Sequence, residues 1–377
     1  MKQRGYAIYI HIPFCVQKCL YCDFLSVPWN ETKARDYLND LILEIDQADW
    51  SRVKDITSVY IGGGTPSLIP VEEIKRILAA LRAKRPFTFG CEISMEANPG
   101  TVDLAQLKAL RAMGVNRISL GAQSFQPEIL KKLGRIHDEK AIIETAKNVV
   151  KAGYENWNLD LMFDLPGQSV KDVEESLQQA IDLNPSHISF YSLIIEPGTP
   201  FYEEHEADRL PMATEEGNRI FYHAGRKLMQ EKGYQQYEIS NFAKPGRACR
   251  QNLAYWRRKP YLGFGLGAAS FEEECRYVNP RDFSVYRERI AKGETVRELE
   301  ECMDSEAALA EAIILGLRMN SGLSLARLKK KYPQGWDRVE GVIQEQVEKE
   351  LLIQQHGRIQ LSERGMDLAN QVMMEFL

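Results

Sequence analysis

The chain has 377 residues, more than one typical domain, and its 44% hydrophobic and 27% charged content are those of an ordinary globular protein. A net charge of −5 supplies no global basic field for nucleic acid or an anionic membrane. No stretch approaches the roughly 18 apolar residues of a membrane span.

The opening "MKQRGYAIYIHIPFC" carries only a short apolar run before a cysteine and reads as a first strand, not a signal peptide. Short β-branched runs then recur: "YAIYIHI" (6–12), "SVYIGG" (58–63), "CEISMEA" (91–97), "RISLGAQ" (117–123), "NLDLMFD" (158–164) and "HISFYSL" (187–193). Between them the apolar period changes to that of helices, over 32–48, 71–84, 103–112, 127–132, 138–152 and 170–183. In "VDLAQLKALRAMG", Leu104, Leu107, Leu110 and Met113 share one face and Gly114 supplies the stop. Six strand–helix units in series predict a parallel sheet with right-handed crossovers. Six are too few for a closed eight-fold barrel, so the fold class is α/β, a partial (β/α)6 barrel over about residues 1–200. Its chemistry belongs at the C-terminal strand ends.

From 201 to 300 the rhythm stops, and "YEISNFAKPG" and "YLGFGLGAASF" read as strands and loops extending the barrel. From 303 to 377 three amphipathic helices, beginning with "DSEAALAEAIILGLRM", precede a hairpin that turns at His356–Gly357. That pattern is a small winged-helix-like α+β domain. Its "RLKKK" run reads as a solvated helix face beside the acidic "QEQVEKE", so no nucleic-acid partner is expected.

Chemistry concentrates in "PFCVQKCLYCDF", where Cys15, Cys19 and Cys22 form C-x3-C-x2-C. Seven cysteines in all, an odd number with three clustered, argue against a secreted disulfide framework and fit a reducing cytoplasm. A zinc site needs four ligands. His11 could nominally complete a set, but it precedes the cluster on the expected strand. Three thiolates on one loop suit an iron–sulfur cube better, leaving one iron open to an exogenous ligand.

The other strand ends carry further candidates. "GGGTPS" (62–67) lacks the lysine of a P-loop, and its glycines permit close backbone approach to a ligand. Glu96, Gln123 and Asp160 sit at or near strand ends, with Arg135 just beyond the fourth; a carboxylate inside the apolar "LDLMFDLPGQ" is costly unless paired or liganded. Together they describe a polar ring around one barrel mouth.

C-x3-C-x2-C at the end of a first barrel strand resembles the radical S-adenosylmethionine (SAM) superfamily. The resemblance implies a [4Fe-4S] cluster on the three cysteines, with SAM contacted by Tyr21 at the adenine and by Gly63, Gly64 and Thr65 at the methionine amine. The order of the strand ends is similar to the branch of oxygen-independent coproporphyrinogen III oxidase, in which Tyr9, Glu96, Gln123, Arg135 and Asp160 would also contact SAM. That branch contains an oxidative decarboxylase of porphyrin biosynthesis and a heme chaperone. The oxidase adds a fourth cysteine where this chain has Phe24, and a longer N-terminal segment. Both differences favour the chaperone, with heme as cargo and heme proteins such as respiratory cytochromes or oxidases as recipients, peripheral membrane association included. Whether the chain is also an enzyme stays open, as does a third reading, a zinc or nucleic-acid module.

Chaperones of this kind carry H-N-x-x-Y-W. "CRQNLAYW" (249–256) matches at Asn252, Tyr255 and Trp256 but places Gln251 where the histidine belongs. Glutamine is a poor heme ligand, which leaves Cys249 and His11 as further candidates.

Overall fold

In the computed structural model, which describes residues 3–377, six parallel strands follow one another in chain order: β1 (Arg4–Ile12), β2 (Val53–Gly63), β3 (Phe87–Ala97), β4 (Arg117–Gln123), β5 (Trp157–Phe163) and β6 (His187–Ser192). Helices Glu31–Gln47, Val71–Lys84, Leu104–Ala112, Glu139–Lys151 and Val170–Asp182 make the crossovers, with a further short helix, Pro127–Lys132. The caps are local: Asp103 and Ser169 each form a capping box with the residue three ahead. Gly114, at φ 104, ends its helix as its position in the sequence predicts.

The sheet is longer than the barrel and does not close. Strand Tyr261–Phe264 joins β1 in parallel, pairing Ala7 with Tyr261 and Ile10 with Phe264. Strands Ala269–Glu272, Cys275–Val278 and Glu298–Cys302 continue antiparallel from it. At the far edge Asn241–Ala243 and then Gln235–Glu238 follow β6. The two segments read as barrel extensions therefore lengthen opposite edges.

Alternation sorts the side chains. Ile8, Ile10 and Ile12 of β1, with Val59, Ile61, Ile118, Leu120 and Leu159, are buried under the helices in one hydrophobic core. The inward face is polar. Across its floor Ser58, Glu92, Arg117, Asn158 and His187 are all buried. His187 bonds Asn158 through Nδ1 at 2.6 Å and the Tyr237 hydroxyl through Nε2 at 2.9 Å. A hydrogen-bonded layer thus fills the lower barrel, where a closed eight-strand barrel packs branched apolar residues.

The middle segment also holds four helices, outside the two stretches read as strands and loops: Pro200–Glu206, Glu215–Glu231, Arg250–Trp256 and Phe283–Ala291. Glu215–Glu231 packs on the barrel at Gly225, where an added Cβ would lie 2.5 Å from the Phe190 ring. Cys275 and Cys302 face each other in adjacent antiparallel strands and are joined as a disulfide, a pair that an odd cysteine count gave no reason to expect.

Beyond residue 303, helices Ser305–Leu317, Leu325–Lys331 and Trp336–Glu348 pack with a three-stranded sheet in the order Leu323–Ser324, Arg358–Leu361, Leu352–Gln355. Its hairpin turns at His356 (φ 51) and Gly357 (φ 70). Leu309, Ile313, Trp336, Ile343 and Ile359 belong to a second core, which the closing helix Ala369–Met374 helps to build. Of the "RLKKK" lysines, Lys331 pairs with Glu274 at 2.9 Å and Lys329 lies over the Trp336 ring. No helix among the described residues is long and apolar enough to cross a membrane.

Candidate functional site

The cysteine loop leaves β1 at Ile12. A two-residue parallel ladder, Phe14 with Val27 and Cys15 with Pro28, closes its neck. Phe14 is fully buried, edge-on to Trp29 and Tyr37, so the neck is anchored in the core while the loop projects. Cys15, Cys19 and Cys22 are half-buried and line one cavity of about 440 Å³ at the C-terminal mouth of the barrel. Burial, with the neighbouring Cys19 and Cys15, pushes the Cys22 thiol up to about 11.

Thr65 aims its hydroxyl at Cys15 Sγ (3.5 Å) and Arg135 aims Nη1 at Cys19 Sγ (3.4 Å), donors suited to thiolate sulfur. Among the described residues no three His, Cys, Asp or Glu side chains converge tightly enough to hold one metal ion. Three thiols around one roomy cavity are a donor set of the kind that can hold three corners of a polynuclear cluster.

Eight of the nine predicted cofactor residues line this same cavity: Tyr21, Gly63, Gly64, Thr65, Glu96, Gln123, Arg135 and Asp160. Glu96 accepts from the Tyr60 hydroxyl (2.7 Å) and from Gly63 N–H (3.1 Å); burial raises its carboxyl to about 7. Asp160, also raised by burial, accepts from Asn158 Nδ2 (2.7 Å) and the Ser119 hydroxyl (3.3 Å). Gln123, held at φ 68, accepts from the Tyr191 hydroxyl at 2.9 Å. Arg135 donates to Asn98 Oδ1 at 2.8 Å, while its buried Nε has no partner among the described residues, a donor free for a ligand.

Tyr9 lies elsewhere. Tyr60 stands next to it on β2, with ring centroids 6.4 Å apart, and lines the cavity instead. The Tyr9 hydroxyl bonds His11 Nδ1 (3.0 Å) and the residue opens into a different space.

The glycine turn has a structural task as well. Gly63 donates to Glu96, Gly64 to Ile12 O (2.8 Å) and Thr65 to Phe14 O (2.7 Å). A Cβ on Gly64 would meet Phe14 backbone atoms within 2.8 Å, and one on Gly63 would meet the His11 ring. The glycines let β2 pack against the cysteine neck; their N–H groups are already used. Asn98, missed in the sequence, ties the ring together by donating to Thr65 Oγ1 at 3.0 Å and accepting from Arg135. Its place just past the Glu96 strand end was the available signal, and Tyr60 was reachable from the inward period of "SVYIGG".

The profile of the Radical SAM superfamily matches residues 9–180, and that of the HemN C-terminal domain matches 303–368. The heme chaperone HemW of Bacillus subtilis is 37% identical over 98% of this chain and 98% of its own length. That of Escherichia coli is 43% identical over 71% of this chain and 70% of its own. The chain belongs to the HemW family of radical SAM proteins. Coproporphyrinogen III oxidase (HemN) from Escherichia coli shares the fold, with a TM-score of 0.86 at 22% identity over 99% of this chain and 90% of that one.

In this HemW-family chain the six residues read as heme candidates separate into two groups. Helix Arg250–Trp256 turns Gln251 into the barrel floor, where it is 2% exposed and accepts from the Ser58 hydroxyl at 2.8 Å. Cys249 is equally buried, its thiol raised to about 11 by burial, and Asn252 donates to the Tyr237 hydroxyl. None of the three lines the cluster cavity or the groove described next. The other end of the helix presents Tyr255 and Trp256 to a groove of about 480 Å³, which Tyr9 and His11 also line. The His11 ring is engaged on both sides, by Tyr9 and by Leu25 O at 2.9 Å, and burial lowers its basicity.

Proposed function

We propose that this protein is a heme chaperone. It carries a [4Fe-4S] cluster on Cys15, Cys19 and Cys22, with SAM in the barrel mouth, and passes heme to heme proteins such as respiratory cytochromes or oxidases from the cytoplasmic side, touching the membrane only peripherally. The observation that carries this reading is the near end-to-end relation to a protein named heme chaperone. The three thiols, one cavity and unpaired Arg135 Nε support the cofactor part.

A bound cluster would supply one open iron for the amine and carboxylate of SAM, and an electron. The chain's own groups do the rest. An amine donor needs acceptors, which the carbonyl oxygens of Gly63 and Gly64 can supply while their N–H groups fix the turn. Tyr21, beside Phe201 at 6.4 Å between centroids, offers a ring face to the adenine. Tyr191 holds the Gln123 carbonyl and turns the amide hydrogens to the ligand. Glu96 and Asp160 offer acceptors at the barrel mouth.

Anaerobically reconstituted protein titrated with heme should give a saturable Soret shift near one equivalent. No shift beyond that of an inert control protein overturns the chaperone reading. Formation of protoporphyrinogen from coproporphyrinogen III would assign the oxidase activity instead.

A further inference from the structure

Phe24 occupies the position that separates this chain from the oxidase, yet it is neither a cluster ligand nor a packing residue: its side chain is 61% exposed. It lines two cavities at once, the cluster cavity and the groove, and Asp23 does the same. The groove's apolar surface comes from Phe24, Leu25, Trp256 and Phe271. Its volume, about 480 Å³, lies in the range of sites that bury an organic ligand. The indole N–H of Trp256 is buried without an acceptor among the described residues.

Three arginines line the groove, and they are not equivalent. Arg258 is paired with Glu274 and Glu311, and Arg276 with Glu301 and Glu311. Arg281 is exposed and enters no ion pair or side-chain hydrogen bond among the described residues. Its stem passes Gly267, where a Cβ would sit 2.8 Å from Leu25 and 3.7 Å from Arg281 Cγ, so the missing side chain keeps the groove open between them. Its charge is close enough to depress the basicity of His11. An apolar, aromatic-lined slot with one uncommitted guanidinium at its rim is complementary to a flat macrocycle bearing carboxylates.

Resting on the chaperone reading, we propose that heme sits in this groove, outside the barrel, with Phe24 as an apolar wall and Arg281 binding a propionate. The macrocycle then lies one side chain away from the cluster cavity. Because Phe24 and Asp23 belong to both walls, a ligand in one cavity alters binding in the other.

The test compares heme with heme dimethyl ester, which keeps the ring and iron but lacks the carboxylates, against full-length wild type, R281Q and F24A. R281Q should weaken heme binding by about tenfold, the worth of one charge-assisted hydrogen bond, and leave the diester unchanged. F24A should weaken both ligands and abolish the difference in heme affinity measured with and without SAM. Wild-type affinity for heme in R281Q, or unaltered binding in F24A, overturns the groove assignment while the chaperone reading stands. Failure of wild type to bind heme at all overturns both.

Discussion

The Tyr60 hydroxyl and the Gly63 N–H meet on the two oxygens of Glu96, at 2.7 and 3.1 Å. One buried carboxylate thereby ties the end of β3 to the glycine turn that ends β2. In E96Q the amide oxygen keeps the Gly63 N–H and the NH2 donates to the Tyr60 hydroxyl, but two bonds to a charged acceptor become neutral ones, a loss of about 1.5–3 kcal/mol, so SAM affinity should fall roughly ten- to 150-fold. Y60F removes one neutral donor and should cost about 0.5–1.5 kcal/mol. Calorimetric SAM titration of the reconstituted proteins measures both, and equal losses would show that Glu96 is not the strut.

Removing a cluster ligand should uncouple the cluster from the fold. C19A should lose bound iron and sulfide and the broad visible absorbance, because Thr65, Arg135 and two thiols cannot hold three corners. The loop neck does not depend on the cluster: Phe14 and Trp29 pack in the core and Val27 N–H bonds Pro13 O at 2.8 Å. Far-ultraviolet circular dichroism and the aerobic thermal midpoint of C19A should therefore match those of cluster-free wild type. Retained iron and sulfide would mean the ligand set is different.

Glu44 sets a pH dependence away from the site. It is fully enclosed and accepts from Gly265 N–H (2.7 Å), Asn279 Nδ2 (2.7 Å) and the Tyr286 hydroxyl (2.6 Å); burial raises its carboxyl to about 7. The folded state therefore keeps a proton that the unfolded chain, with an ordinary carboxyl, releases at lower pH. Between about 4.5 and 7 the folded form binds more protons, so this group's contribution to stability falls as pH rises through that window and is flat above it. Denaturant melts should show wild type losing stability, relative to E44Q, on going from about pH 5 to about pH 8, by an amount of order 1 kcal/mol. An identical pH profile in E44Q would mean that Glu44 titrates normally.

The barrel was legible because its outward residues announce it. Ile8, Ile10, Val59, Ile118 and Leu159 give β-branched runs, and the intervening helices carry caps such as Asp103 and stops such as Gly114. The cluster loop and seven of the polar ring positions beyond Tyr21 follow from that frame, since successive strand ends must share a mouth. Tyr9 did not, because an inward-facing residue can be screened by the ring on the next strand, here Tyr60. Helix Glu215–Glu231 escaped notice because Gly217 and Gly225 weaken its propensity, and the reason for Gly225 is contact with Phe190 on β6. The groove was out of reach: it joins residues 9, 24, 256, 271 and 281, whose adjacency is created by the antiparallel extension of the sheet. Gln251, in the histidine's place, lies in the floor against Ser58 and beside Tyr255, one residue back from the groove.

Arg258 should hold the C-terminal unit to the barrel sheet. It takes a left-handed backbone conformation (φ 47) just past helix Arg250–Trp256, with a side chain only 4% exposed. Its guanidinium pairs with Glu274, in the turn between strands Ala269–Glu272 and Cys275–Val278, and with Glu311 in helix Ser305–Leu317, and donates to Ala308 O (3.2 Å) and the Tyr332 hydroxyl (2.6 Å). R258A removes the cation that Glu311 and Glu274 share but leaves Arg276 on the first and Lys331 on the second, so the cost stays below the about 3–5 kcal/mol of a buried pair broken outright. The loss falls on the interface rather than on either core. Calorimetry of R258A should therefore resolve a separate, earlier transition for residues 303–377, and limited proteolysis should cut near Met303, where the chain leaves the sheet beside Glu274. A single transition at the wild-type midpoint would mean that the two cores are joined mainly by apolar contact, and E311Q, which keeps the shape and removes one charge, would then also be silent.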